Sequence, residues 1–195
     1  YRSTFRTISD IPLAMVSPTS FTYLNDDFRR RDKARVPKID AVYDDRTTIL
    51  YYYPGMNPDL VDALVEKGYH GIVIAGTGLG HVNKPLYPAI KRATEAGVHV
   101  VMAVQTLWGF AQMYVYDTGR DLMDLGIVPL DNMIPETALM KLSWVLGHTR
   151  ERAEVMRMMT TPIAHEITPR EPHNGYLVMQ GGLPETEEWV RGHWK

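Results

Sequence analysis

Thr47-Thr48-Ile49-Leu50-Tyr51-Tyr52-Tyr53-Pro54-Gly55 and Gly71-Ile72-Val73-Ile74-Ala75-Gly76-Thr77-Gly78-Leu79-Gly80-His81 are the two stretches that decide the fold. The first is β-branched and aromatic until Pro54-Gly55 stops it, which predicts a strand over Thr47–Tyr53. The second is a short continuous apolar run that opens into a glycine-rich loop, the pattern of a strand buried on both faces. Between them, Asn57-Pro58 marks a helix start, with Asn57 as cap and Pro58 in the first turn. Leu60, Val61, Leu64 and Val65 fall at helical spacing, and Gly68 closes the helix.

The same alternation continues outward. Pro85–Ala96 predicts a second helix with Leu86, Ile90 and Ala93 inward, closed by Gly97. Val98–Val104 predicts a third strand, and Ile127-Val128-Pro129 a short extended piece. Asp117 is placed to cap a helix reaching Leu125 and Gly126. Ile134–Leu146 reads as an amphipathic helix ended by Gly147, and Thr149 as the cap of a last helix reaching about Met159. Strands alternating with helices mean an α/β domain. The expectation is a small doubly wound parallel sheet of about four strands, with helices on both faces, preceded by an irregular linker. The expected boundaries are 1–45 for the linker, 46–168 for the α/β domain and 169–195 for an extra tail.

In the linker, Pro12, Pro18 and Pro37 bar helices, while Ile11–Val16 is apolar enough for a short strand. Asn25–Arg35 mixes charges, including Arg29-Arg30-Arg31. A solvated linker or hairpin and a phosphate-contacting basic patch are both open readings of it. In the tail, Trp189 and Trp194 need an apolar surface to cover them.

Composition excludes several classes. Among 195 residues, 21 Lys+Arg stand against 23 Asp+Glu, for a formal net charge of −2, which argues against a globally basic nucleic-acid binder. The chain has no cysteine, so disulfide frameworks, thiol nucleophiles and Cys-based metal sites are ruled out. No apolar run approaches the ~18 residues of a membrane span, and a cytoplasmic location is expected.

The loop Gly76–His81 lies where open α/β sheets bind ligands, outside the carboxyl ends of the strands. Its spacing is not that of a dinucleotide fingerprint, and a tight turn or an amide-lined pocket are the competing readings. Gln105–Tyr116 follows the third strand; Trp108, Tyr114 and Tyr116 are expected in the core, with Thr106, Gln112 and Tyr116 as alternative pocket lining. Met133, Met140, Met156, Met158 and Met159 read as core filler. No histidine pair has metal-binding helical spacing, His165-Glu166 stands alone, and there is neither a serine nucleophile elbow nor a phosphate-loop lysine. The residues by themselves point to a ligand edge without a nucleophile, base or metal.

Ordered stretches resemble the carboxy-terminal domain of the bacterial-type L-asparaginase family. They are Tyr52-Tyr53-Pro54-Gly55, Gly76-Thr77-Gly78-Leu79-Gly80-His81-Val82, Gln105-Thr106 through Tyr116-Asp117-Thr118-Gly119-Arg120, and Asp131-Asn132-Met133-Ile134-Pro135-Glu136 through Leu142. Within that family they are most similar to the branch of D subunits of archaeal glutamyl-tRNA(Gln) amidotransferases, and next to archaeal asparaginases. The resemblance implies part of a glutamine or asparagine amidohydrolase that releases ammonia. It implies that no catalytic residue lies in this chain, because the family's threonine nucleophile belongs to an amino-terminal domain, and that the segment alone is inactive. Gly78, Gly80, His81 and Tyr116 are the matching pocket positions, serving either their own site or that of a partner protomer. The implied partners are an amino-terminal asparaginase domain, a second copy in a homodimer, and the amidotransferase's E subunit with Glu-tRNA(Gln) reached through it; no membrane is implied. No metal or cofactor is expected on this chain, ATP and Mg being expected only on the E subunit. An asparaginase fragment, and an interaction module that kept the fold without catalysis, are the alternatives.

Overall fold

A computed structural model describes residues 7, 8 and 12–168. The tail with Trp189 and Trp194 lies outside the described residues. Cα packing divides the described residues into two units, one up to Asp40 and the other from Ala41 onward.

In the first unit, β1 (Ala14–Val16) and β2 (Phe21–Tyr23) pair antiparallel as a hairpin. Ser17 and Ser20 close its turn, with Ser17 N–H donating to Ser20 O at 2.8 Å. The hairpin therefore lies upstream of Asn25–Arg35, which has no helix or strand.

The second unit carries β3 (Thr47–Tyr51), α1 (Asp59–Glu66), β4 (Gly71–Gly76), α2 (Tyr87–Glu95), β5 (His99–Val104), α3 (Asp117–Asp124), β6 (Val128–Pro129), α4 (Pro135–His148) and α5 (Arg152–Thr160). The four strands form one parallel sheet in the order β3-β4-β5-β6. The expected α/β class is thus what the chain forms. Alternation along the strands splits the core in two. Ile72, Ile74, Val100, Met102 and Val104 face one side, where Val61, Ile90 and Leu122 of α1, α2 and α3 meet them. Val73, Val101, Ala103 and Val128 face the other, against Ala138, Leu142 and Val145 of α4 and Val155 and Met159 of α5. Strand order follows chain order, so the connecting helices share one face and the other is left for α4 and α5.

Local chemistry differs from expectation at several points. Gly147 does not end α4, which runs on to His148. The glycine answers a packing need instead: a Cβ there would sit 2.7 Å from Tyr43 Cα. Thr149 does not cap α5; Glu151 does, its carboxylate accepting from the N–H groups of Ala153 and Glu154. Asp117 is the first residue of α3 and pairs with Arg120 rather than capping the helix. Met133 and Met159 are fully buried as expected, but Met140 is 70% and Met156 40% exposed on the outer sides of their helices. Tyr114 and Tyr116 also stay exposed, and Phe110, Ala111 and Met113 fill the core from that loop.

Candidate functional site

The carboxyl ends of β3, β4, β5 and β6 gather four loops at one edge of the sheet. Parallel pairing fixes this, because each crossover returns the chain to the opposite edge. The β4 loop is a closed turn. Gly80 and His81 N–H both donate to Thr77 O, at 3.0 and 2.9 Å, and Thr77 N–H donates to His81 O at 3.0 Å. Gly78 and Gly80 take φ of +54° and +91°, which supplies the reversal that such a short turn demands. Gly80 is also pressed against the core, since a Cβ would lie 3.0 Å from Met102 Cγ and 3.3 Å from Met113 Cγ. Gly78 faces open space. The tight-turn reading is what the geometry bears out: Gly80 shapes the turn from behind and Gly78 is bare toward the outside.

His81 is half-buried at the end of this turn. Its Nδ1 lies 3.4 Å from Thr118 Oγ1, and its ring is tilted 57° against Tyr116 with centroids 5.6 Å apart. Its Nε2 is buried and has no hydrogen-bond partner among the described residues. Burial lowers the pKa of His81 below its ordinary value, so the ring is neutral at neutral pH. A neutral imidazole with one nitrogen uncommitted keeps the capacity for a single further hydrogen bond, and here that nitrogen is enclosed by protein rather than open at the edge. Of the four candidate positions, His81 and Tyr116 are in ring contact and Gly78 and Gly80 form the turn leading to His81.

Three other residues at this edge were quoted in strands or matching motifs but not singled out as site residues. Gln105 N–H donates to Gly76 O, and its Nε2 donates to Tyr52 O at 2.5 Å and Ala75 O at 2.9 Å, locking three strand ends together. Tyr51, at the end of β3, donates its hydroxyl to Glu136 Oε1 at 2.6 Å in the first turn of α4, which raises the tyrosine's pKa. Asp131 follows β6 with φ of +46°, and its carbonyl accepts from Ala111 N–H at 2.7 Å. Desolvation raises the pKa of its carboxyl. Its place at the head of a matching motif was the signal the sequence held; its positive φ is not written in a sequence.

The comparisons with known proteins bear on this edge. The Glutaminase/Asparaginase C-terminal domain family matches residues 46–159. The chain belongs to that family. The match takes in the whole parallel sheet and all five helices but one residue of α5. Among curated proteins, the D subunit of the glutamyl-tRNA(Gln) amidotransferase of Thermococcus kodakarensis is 49% identical over 177 residues, covering 90% of this chain and 40% of that protein. The D subunit from Pyrococcus furiosus is 46% identical over 178 residues, with 91% and 40% covered. The chain thus spans about 40% of the length of these relatives. Among solved structures, the thermostable L-asparaginase from Thermococcus kodakarensis superposes with a TM-score of 0.73 at 28% identity, covering 85% of this chain and 50% of that one. L-asparaginase I from Vibrio cholerae gives 0.71 at 25%, with 80% and 48% covered. This asparaginase-family domain carries its glycine turn and His81 at the strand ends. No helix among the described residues is long and apolar enough to cross a membrane.

Proposed function

We propose that this asparaginase-family domain is the pocket-shaping half of a side-chain amidohydrolase, working as the D subunit of a glutamyl-tRNA(Gln) amidotransferase. The observation that carries the reading is the collinear similarity, at 49% identity over 177 residues, to a protein of that name. The strand-end edge supports it from the chemistry. His81 is neutral and singly committed, Gly78 presents bare backbone, and Tyr116 lies beside the ring. Such groups wall a carboxamide site and exclude water from it; the attacking hydroxyl and its base come from an amino-terminal domain. The released ammonia is then handed to an E subunit that amidates Glu-tRNA(Gln). A homodimer that brings this edge to a neighbour's catalytic domain belongs to the same reading, as does a cytoplasmic setting.

The test is ammonia release from glutamine and asparagine, first with the 195-residue chain alone and then with an amino-terminal asparaginase domain added. No release from the chain alone is expected, and release once the catalytic domain is supplied. Turnover by the isolated chain would place the nucleophile here and end the reading. A free asparaginase is the second reading, favoured by the likeness to the Thermococcus asparaginase. Amidation of misacylated Glu-tRNA(Gln) upon adding the E subunit separates the two.

A further inference from the structure

The segment Arg29–Lys38 belongs to neither the sheet nor the strand-end site. It holds Arg29, Arg30, Arg31, Lys33, Arg35 and Lys38 against the single acid Asp32, in a chain whose net charge is −2. Every residue from Arg29 to Asp40 is exposed, and none is in a helix or strand. In the compact domain, four arginines are held by carboxylates: Arg92 by Asp62, Arg120 by Asp117, Arg150 by Asp44 and Arg157 by Glu154. Arg29, Arg31, Lys33, Arg35 and Lys38 make no ion pair with any described residue. Asp32 is itself engaged locally, accepting from Ala34 N–H at 2.8 Å. Asp26, Asp27 and Asp40 flank the run, yet six exposed cations within ten residues make a local positive stretch that attracts a polyanion.

Beside it stands an aromatic ladder. Phe21 meets Tyr23 edge-on with centroids 4.9 Å apart, and Tyr23 stacks on Phe28 at 6.1 Å with the rings 4° from parallel. The Arg30 guanidinium caps Phe28 at 4.1 Å from the ring centroid. Phe21 and Tyr23 remain 58% and 62% exposed. Cations that follow a backbone, next to stacked rings and a guanidinium plane, are the elements that bind RNA phosphates and unstacked bases.

We propose that Arg29–Lys38, with the Phe21–Tyr23–Phe28 ladder, is a contact surface for the phosphate backbone of a structured RNA of the tRNA class. The choice of RNA over an acidic protein face rests on the proposed amidotransferase role and on the stacked rings. Arg29, Arg31, Lys33 and Arg35 each neutralise phosphate charge, and Arg30 fixes the ladder.

The test is fluorescence anisotropy of a labelled unmodified tRNA transcript titrated with the full chain at several salt concentrations. The comparison protein combines Arg29→Ala, Arg31→Ala, Lys33→Ala and Arg35→Ala. Circular dichroism checks that it stays folded, as expected for exposed side chains without partners. Loss of at least about tenfold in affinity is expected, with the slope of log K against log salt falling by about 3, at about 0.7–0.9 per contact. Absence of tRNA binding by the parent chain, or an unchanged slope in the substituted protein, overturns the proposal. So does poly-glutamate of matched charge competing as well as RNA, which would make this a face for acidic polypeptide. Glutamine hydrolysis by the enzyme assembled with its amino-terminal domain, measured without RNA, is expected to be the same for both proteins. If neither releases ammonia while tRNA binding holds, the amidohydrolase reading fails and this one stands.

Discussion

Gly80 is where turn geometry and core packing make the same demand. With φ at +91° and a Cβ position 3.0 Å from Met102 Cγ, Gly80→Ala is strained in backbone and in contact together. We expect a loss of about 1–3 kcal/mol, read as a lower urea midpoint with unchanged slope. Gly78→Ala, strained in φ (+54°) but meeting nothing, is expected to cost less. Asp131 carries its carboxyl in a desolvated place that raises the folded-state pKa above the unfolded value. Stability from this group is therefore full below the unfolded pKa and declines as pH rises through the folded one. Asp131→Asn removes the charge and tolerates positive φ, so it is expected to raise the melting temperature at pH 7 and to leave it unchanged near pH 3. His81 and His99 run the other way. Burial lowers both pKa values below the unfolded reference. Their contribution is present above about pH 6.5 and is lost as pH falls from there through the folded values. The midpoint is expected to drop between pH 7.5 and 5.5, and less so in His81→Gln. In the assembled enzyme, His81→Ala is expected to slow amide hydrolysis while circular dichroism stays unchanged; unaltered kinetics would make the ring a packing element only.

Two buried charges fasten elements together. Asp44, just before β3, is 5% exposed in its side chain and meets Arg150 at 2.7 Å and His70 at 2.9 Å. Burial opposes its ionisation. The Arg46 N–H, His70 and Arg150 outweigh that and hold its carboxyl below the ordinary value. Its backbone exchanges bonds with Ser143 of α4, the Asp44 N–H donating to Ser143 O at 2.9 Å and the Ser143 hydroxyl to Asp44 O at 2.5 Å. One residue ahead of the strand thus ties β3, the start of β4 and the end of α4. Asp44→Ala is expected to cost about 2–3 kcal/mol, and a chain begun at Arg46 should melt below one begun at Ala41. Lys141, on α4, is buried and gives its three donors to Met159 O, Thr161 O and Glu166 Oε1, the last at 2.6 Å. Glu166 in turn accepts from the N–H groups of Ile163 and Ala164. This clasp holds the segment after α5 onto α4. Lys141→Ala leaves the Glu166 carboxylate buried without its cation and is expected to cost about 3–5 kcal/mol. Adding Glu166→Gln to Lys141→Met should recover much of it, and a double-mutant cycle in urea measures the coupling.

At the scale of the whole molecule, the function proposed above divides the chemistry between this domain and an amino-terminal one. The edge holds a half-buried histidine, a bare glycine and an exposed tyrosine, and our expectation of no ammonia release from the chain alone rests on the family resemblance, which puts the nucleophile in the other domain. The sheet was legible in the sequence because each strand is a short apolar run and the first two helices carry their own punctuation: Asn57 and Gly68 at α1, whose Asn57 Oδ1 accepts from Asp59 N–H at 3.0 Å, and Gly97 after α2. The gathering of Gly76–His81 and Gln105–Tyr116 at one end of the sheet was legible as well, since parallel pairing sends both loops there. What escaped was set by contacts between residues far apart in the chain. Gly147 is a glycine for the sake of Tyr43, not of its own helix. Tyr116 lies out against His81 because Phe110 and Met113 fill the core in its place. Asp44 sits in a stretch that reads as linker, and only the approach of His70, Ser143 and Arg150 gives it a role. Periodicity and turn residues act within a few positions and determine elements and their order. Burial, ionisation state and the pairing of charges depend on neighbours from other elements, and the tertiary structure alone decided those.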